Sequence, residues 1–418
     1  MSPVQVRLGN AVGWLLVPMA ALMQLVGLQR PMFGPSLPSP ELLGYAAITV
    51  VTAPWVVARR HELTRGTVVV AGSFTGLVAY AALTVVLRAA PTVVTSEEYT
   101  IPWYALAYPL ATALLAMTAA FGMVMSVEPT ARMRVFVAAG AAMLAAGAVS
   151  WPSQVGIHRS WRFATGMAGS ATIHVALLVV AAGALGWFLD DRRRWLGLVV
   201  GLGASAAFLA TGSRAGLVAL VVLAGLVLLL GGRGRGRRVR AIVVGGLAVV
   251  GAVLLAVFPE MRRMVEFSDP LRATNLASAL DGWLSTPANT VFGLGYDQVW
   301  PWYAFDADVV AAPGARMVAT PFGEVLLSPH STLLAVTTEL GLVGLVVAAL
   351  LLGPILLSLG RRVGGNGFPV LAAAVVACVV SFLFDTYLLK NFGVSLWWWV
   401  AVAVVCLAPR REEGPDHG

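Results

Sequence analysis

Ser328-Pro-His330-Ser-Thr-Leu-Leu-Ala-Val-Thr-Thr-Glu339-Leu-Gly341-Leu-Val-Gly344-Leu-Val-Val-Ala-Ala-Leu-Leu-Leu-Gly-Pro354-Ile-Leu-Leu-Ser-Leu-Gly360 decides how this chain is read. A Pro-His-Ser turn opens an apolar run longer than the roughly 20 residues that cross a bilayer. An imidazole stands at its start and a carboxylate inside it. Polar groups at membrane depth are costly and mark working sites.

The rest of the chain has the same character. Of 418 residues, 59% are hydrophobic and 11% charged. That is far more apolar surface than a soluble domain needs. Apolar segments recur near 11–28, 42–58, 67–87, 102–125, 133–150, 168–189, 195–211, 214–231, 240–258, 331–360, 368–388 and 392–408. The composition therefore predicts an all-α polytopic membrane protein with about twelve spans. The first segment reads as a span, not a cleaved leader. Span 331–360 is expected to tilt or break near Pro354. Cys378 and Cys406 lie in apolar spans and read as small hydrophobes.

Charge sets the orientation. Arg59-Arg60, Arg132 and Arg134, Arg192 to Arg194, the run from Gly231 to Arg240, Arg361-Arg362 and Arg410-Arg411 fall on one side of this plan, with both termini. Only Arg30, Arg88, Arg159, Arg162, Arg214 and Lys390 occupy the opposite short loops. Cytoplasmic loops carry the basic excess, so both termini are expected in the cytoplasm. The arginine run is a topology signal and not a nucleic-acid patch.

One outward connection is long. The chain divides into helices over 1–258, a loop over 259–330, three more spans over 331–408 and a tail over 409–418. Pro259 to Phe267 has the pattern of an interfacial helix. Leu271 to Leu284 reads as a second helix, with Leu276, Leu280 and Trp283 on one face. Gly293-Leu-Gly295-Tyr296 makes a turn, and Pro301, Pro313 and Gly314 mark an irregular stretch. Loops this long are usually functional.

The orientation brings Arg162, Arg214, Arg272, His330, Asp385 and Lys390 to one outward level. Guanidinium forks suit phosphate oxygens. Histidine is the side chain best matched to accepting a proton near neutral pH. Together they form a minimal set for displacing a lipid diphosphate from a sugar.

Thr211-Gly-Ser-Arg214-Ala-Gly216, then Arg272, Gly293-Leu-Gly295-Tyr296, His330-Ser-Thr-Leu-Leu334 and Glu339-Leu-Gly341-Leu-Val-Gly344 resemble, in this order, the O-antigen ligase and polymerase-like membrane glycosyltransferases. The resemblance runs from about 160 to 345. It implies a glycosyltransferase-C-like fold and transfer of a glycan from an undecaprenyl-diphosphate carrier to an acceptor hydroxyl outside the cytoplasmic membrane. No metal or nucleotide cofactor is implied. By motif match, His330 takes the base role, and Arg214 and Arg272 bind the donor. Arg162-Phe-Ala-Thr-Gly166 resembles a further arginine element of the family, without the Asn-Pro that usually follows. Ser331 stands where Asn is common.

Glu339 either orients His330 or ties helices together. Asp385 either serves the site or pairs with Lys390. Tyr296 and Trp300 are candidate sugar-stacking rings. His174 reads as a satisfied interhelical histidine, and Trp397-Trp-Trp399 as packing. Two rival functions share the composition. A polymerase would use the same donor with a lipid-linked acceptor. A transporter of lipid-linked sugar would show internal repeats and midplane polar residues. The implied partners are the carrier-linked glycan, a glycan or lipid acceptor and membrane lipid, without nucleic acid.

Overall fold

The computed structural model describes residues 3–27, 34–89, 92–94, 98–158, 160–190, 195–230, 245, 269–311, 314–363 and 369–408. The arginine run from Gly231 to Arg240, the interfacial helix from Pro259 and, apart from residue 245, the expected span near 240–258 lie outside them.

The chain is mostly helical. In order come α1 (Pro3–Gly13), α2 (Leu16–Leu25), α3 (Pro40–Ala58), α4 (Arg65–Leu87), α5 (Trp103–Ser126), α6 (Arg132–His158), α7 (His174–Asp190), α8 (Trp195–Ala210) and α9 (Arg214–Leu230). The long loop contributes α10 (Pro270–Leu284), α11 (Pro287–Phe292) and α12 (Trp302–Asp306). The chain closes with α13 (Thr332–Val363), α14 (Pro369–Val379) and α15 (Phe392–Cys406). Among the described residues, six helical segments are long and apolar enough to cross a membrane, and five shorter apolar helices accompany them. The chain is thus a polytopic membrane protein.

The all-α expectation misses two short antiparallel hairpins, β1–β2 (Thr92–Val94 with Glu98–Thr100) and β3–β4 (Met317–Thr320 with Gly323–Leu326). The second sits in the stretch expected to be irregular. Its register closes over Pro321-Phe322, and Gly323 takes φ +124°. Proline presets its own φ and glycine accepts a positive one.

The core centres on α15, where Trp397, Trp398 and Trp399 are buried as expected. Trp399 packs 4.9 Å from Phe74, and Trp398 Nε1 donates to Val375 O. Cys378 and Cys406 are free and buried. At one end of the bundle, Arg59 Nη1 donates to Met125 O and Val127 O. Arg132 Nη1 donates to Leu407 O. Both guanidiniums also meet Glu62. Residues read only as topology signals therefore also satisfy the carbonyls left open at helix C-termini.

The break in α13 falls at Gly341 and not at Pro354. Gly341 adopts φ +65°, ψ −162°. A Cβ there would lie 2.4 Å from Gly293 N, and a Cβ on Gly293 would lie 2.2 Å from Glu339 O. Two backbones meet where only glycine fits. The break leaves Thr338 O and Glu339 O without their helical donors, and Leu294 N and Gly295 N supply hydrogen bonds to them, both 2.9 Å. Tyr80 Oη donates to Phe292 O, Arg88 Nη2 to Gly293 O, and Tyr296 N to Thr84 Oγ1. The loop is thereby sewn to α4 and α13.

Gly293→Ala should therefore destabilise the protein by roughly 2 kcal/mol, from a positive φ plus a clash with backbone. Gly353→Ala, in the same helix as the break but with open space around its Cα, should leave the thermal midpoint in detergent unchanged or raised. Equal midpoints for the two variants would contradict the lock.

Candidate functional site

Arg214 begins α9. The turn before it is held from below: Arg162 Nε donates to Thr211 O (2.6 Å) and Arg162 Nη2 to Gly212 O (3.2 Å). Arg162 thus supports the turn that presents Arg214. His174, fully buried, approaches Ser213 Oγ (3.1 Å) through Nδ1 and Ser381 Oγ (2.9 Å) through Nε2. It is the satisfied interhelical histidine expected.

Arg272 lies in the first turn of α10, capped by Asp269, whose Oδ1 accepts from Arg272 N. Asp before Pro at the first helical position is a readable start signal. Arg272 Nη1 donates to Phe384 O (3.0 Å). Asp269 Oδ2 lies 3.3 Å from Arg272 Nε and 4.0 Å from Arg214 Nη2. Two arginines far apart in sequence therefore share one carboxylate. The buried face of α10 is Asn275, Ser278, Ala279 and Gly282, not the expected leucine face; Leu276 is exposed. The helix lies against the hairpin and loop, and small residues permit that approach.

His330 precedes α13 in a left-handed conformation, φ +51°. Such strain in a non-glycine residue costs on the order of 1–3 kcal/mol and gathers at functional sites. Nearby Leu388 and Asn391 share it, with φ +65° and +52°. Ser331 Oγ accepts from Leu334 N and donates to Phe382 O. Thr332 N donates to Asp385 O, and Thr332 Oγ1 accepts from Tyr387 N. The histidine turn is so fastened to the segment after α14. Asn275 adds a tie: its Nδ2 donates to Pro329 O, and its Oδ1 accepts from Trp300 Nε1 and Leu326 N.

The His330 Nδ1 atom is buried and has no hydrogen-bond partner among the described residues. Burial, then the charges of Arg272 and Lys390, lower the imidazole pKa to about 4, with Asp269 opposing. The ring is neutral at pH 7 and can accept a proton. Asp385 lies within electrostatic reach of Lys390 and Arg272, and its Oδ1 accepts from Thr386 N. Lys390 pairs with Asp306 (3.4 Å) and lies over the Trp302 ring, and among the described residues its ion pair is with Asp306 and not with Asp385.

Arg162, Arg214, Arg272, His330 and Asp385 are thus brought to one end of the bundle. Among the described residues, the side-chain hydrogen bonds of Glu339 and Tyr296 go to the main chain and not to the imidazole. Glu339 Oε1 accepts from Val299 N and Trp300 N, so it holds the loop instead of orienting His330. Tyr296 and Trp300 are 2% and 1% exposed, which leaves no ring face for a sugar. Asp269 and Asn275 were not singled out from the sequence, because their roles depend on what lies opposite them. A cavity of about 610 Å³ lies between α10 and the β3–β4 hairpin, lined by Ser278, Gln298, Phe305, Thr320, Phe322 and Leu326.

Asp297 is 1% exposed, and its Oδ2 has no hydrogen-bond partner among the described residues. Burial, then the Glu339 carboxylate, raise its pKa well above the ordinary range. A raised folded pKa gives stability that is complete below the unfolded value and is lost as pH rises through the folded one. The wild-type melting temperature should decline with alkalinity above the ordinary carboxylate range, and Asp297→Asn should flatten that decline. Parallel pH profiles for the two proteins would refute a buried neutral carboxyl.

A family model described as O-antigen ligase matches residues 199–349. The interval holds Arg214, Arg272, Tyr296, His330 and Glu339 and leaves Arg162 and Asp385 outside. No curated protein matches the chain. Over residues 199–349, with the arginine pair and the histidine turn inside the match, this polytopic membrane protein is similar to the O-antigen ligase family.

Proposed function

We propose that the protein is a glycosyltransferase that moves a glycan from a polyprenyl diphosphate carrier to an acceptor hydroxyl at the outer face of the cytoplasmic membrane. The observation that carries this reading is the meeting of Arg214, Arg272 and the His330 turn at one end of the bundle. The family match supports the reaction class. The basic bias of the opposite loops supports the outward side.

The chemistry asks little of the protein. The acceptor oxygen attacks the anomeric carbon. The bond from that carbon to the diphosphate oxygen breaks, and its electron pair leaves with the polyprenyl diphosphate. The hydroxyl proton passes to the His330 imidazole. One displacement inverts the anomeric centre. Arg214 and Arg272 stabilise charge growing on the leaving oxygen. Arg162 keeps Arg214 in place through the Thr211 and Gly212 carbonyls. The 610 Å³ cavity beside α10 offers room for an acceptor, and Asn275 of the same helix is tied to the carbonyl of Pro329, next to His330. Ligase and polymerase share this chemistry and differ in the acceptor.

An isolated base of pKa about 4 is weak. A bound diphosphate offsets the cationic neighbours that lower it, so the donor complex should titrate higher than the free enzyme. The acid limb of kcat/KM is expected near pH 4, and that of kcat at higher pH. His330→Ala should lower kcat by roughly two to four orders of magnitude while leaving membrane insertion and the melting curve intact. Full transfer by that variant, with purified carrier-linked glycan, would sink the mechanism.

A further inference from the structure

Asp269 is the unusual member of the cluster. Its Oδ1 caps α10 through Arg272 N (3.3 Å), while Oδ2 stands 3.3 Å from Arg272 Nε and 4.0 Å from Arg214 Nη2. All three side chains are partly exposed, at 30% for Asp269, 30% for Arg214 and 38% for Arg272. A ligand can therefore reach them. A carboxylate between two guanidinium groups has the geometry of two phosphate oxygens.

Transfer itself creates a difficulty at this place. The donor diphosphate is esterified at both ends. The product diphosphate is esterified only to the lipid, and its terminal phosphate carries a further ionisable oxygen. Arginines alone would hold the more anionic product more tightly than the donor. We propose that Asp269 is a built-in counter-anion that competes with the diphosphate for Arg214 and Arg272, weakening the product more than the donor and hastening its departure. The inference rests on the diphosphate reading of the two arginines. Asp269 positions and tunes those groups and does not touch the reacting bond.

Asp269→Asn separates charge from capping, because Asn caps a helix about as well as Asp. Asp269→Ser provides a second neutral cap if the first variant folds poorly. Polyprenyl diphosphate serves as inhibitor of transfer and as ligand in direct binding to the full-length protein. Its inhibition constant should fall roughly two- to fivefold in both variants, the scale of one partly exposed charge contact. The donor KM should fall by less. An unchanged or raised inhibition constant, or equal shifts for donor and product, would overturn the inference. Arg214→Ala and Arg272→Ala provide the separation. If they also leave product binding untouched, the diphosphate reading fails. If they weaken it while Asp269→Asn changes nothing, only the role of Asp269 falls.

Discussion

A helix broken among apolar neighbours must find donors for the carbonyls it leaves open, since lipid offers none. That constraint governs this structure. At Gly341 the helix after His330 departs from helical geometry, and the backbone of Leu294 and Gly295 supplies the missing hydrogen bonds. The two glycine motifs are therefore one contact seen from both sides. Through it the long loop gains a fixed footing, and α10, which belongs to that loop, gains a fixed place for Arg272.

The site is made from chain ends. Arg214 opens one helix and Arg272 another, His330 precedes a third, and Asp385 follows a fourth. Helix termini carry unpaired backbone groups, and the cluster uses them: arginines bind open carbonyls at Thr211, Gly212 and Phe384. Side chains anchored this way have little rotamer freedom left to lose, so a ligand of the proposed kind would meet a site prepared in advance. The left-handed residues His330, Leu388 and Asn391 concentrate backbone strain at the same end, where the surrounding bonds sustain it.

Much of this was legible in the sequence. Hydropathy located apolar helices, six of them long enough to cross a membrane among the described residues, because a span must reach a set length. Turn chemistry and motif order single out Arg214, Arg272 and His330, and the structure adds their backbone setting, while their roles stay those proposed above. The break at Gly341 was not legible, since Pro354 is the stronger helix disruptor in isolation and the reason for the kink lies 48 positions upstream at Gly293. Glu339 was legible as important but not as the holder of the Val299 and Trp300 amides. Tyr296 was misjudged because an aromatic residue looks the same whether it faces ligand or core. The buried face of α10 is built from small and polar residues, which periodicity in leucines cannot reveal.

The segment after α14 meets the histidine turn almost wholly through its main chain. Ser331 reaches Phe382 O, Thr332 reaches Asp385 O and Tyr387 N, and Arg272 reaches Phe384 O. Side-chain identity matters little to such bonds, whereas chain length matters a great deal. Over evolutionary time this strip can change its chemical dress freely and still seat the imidazole, but a single insertion or deletion there would shift every contact at once.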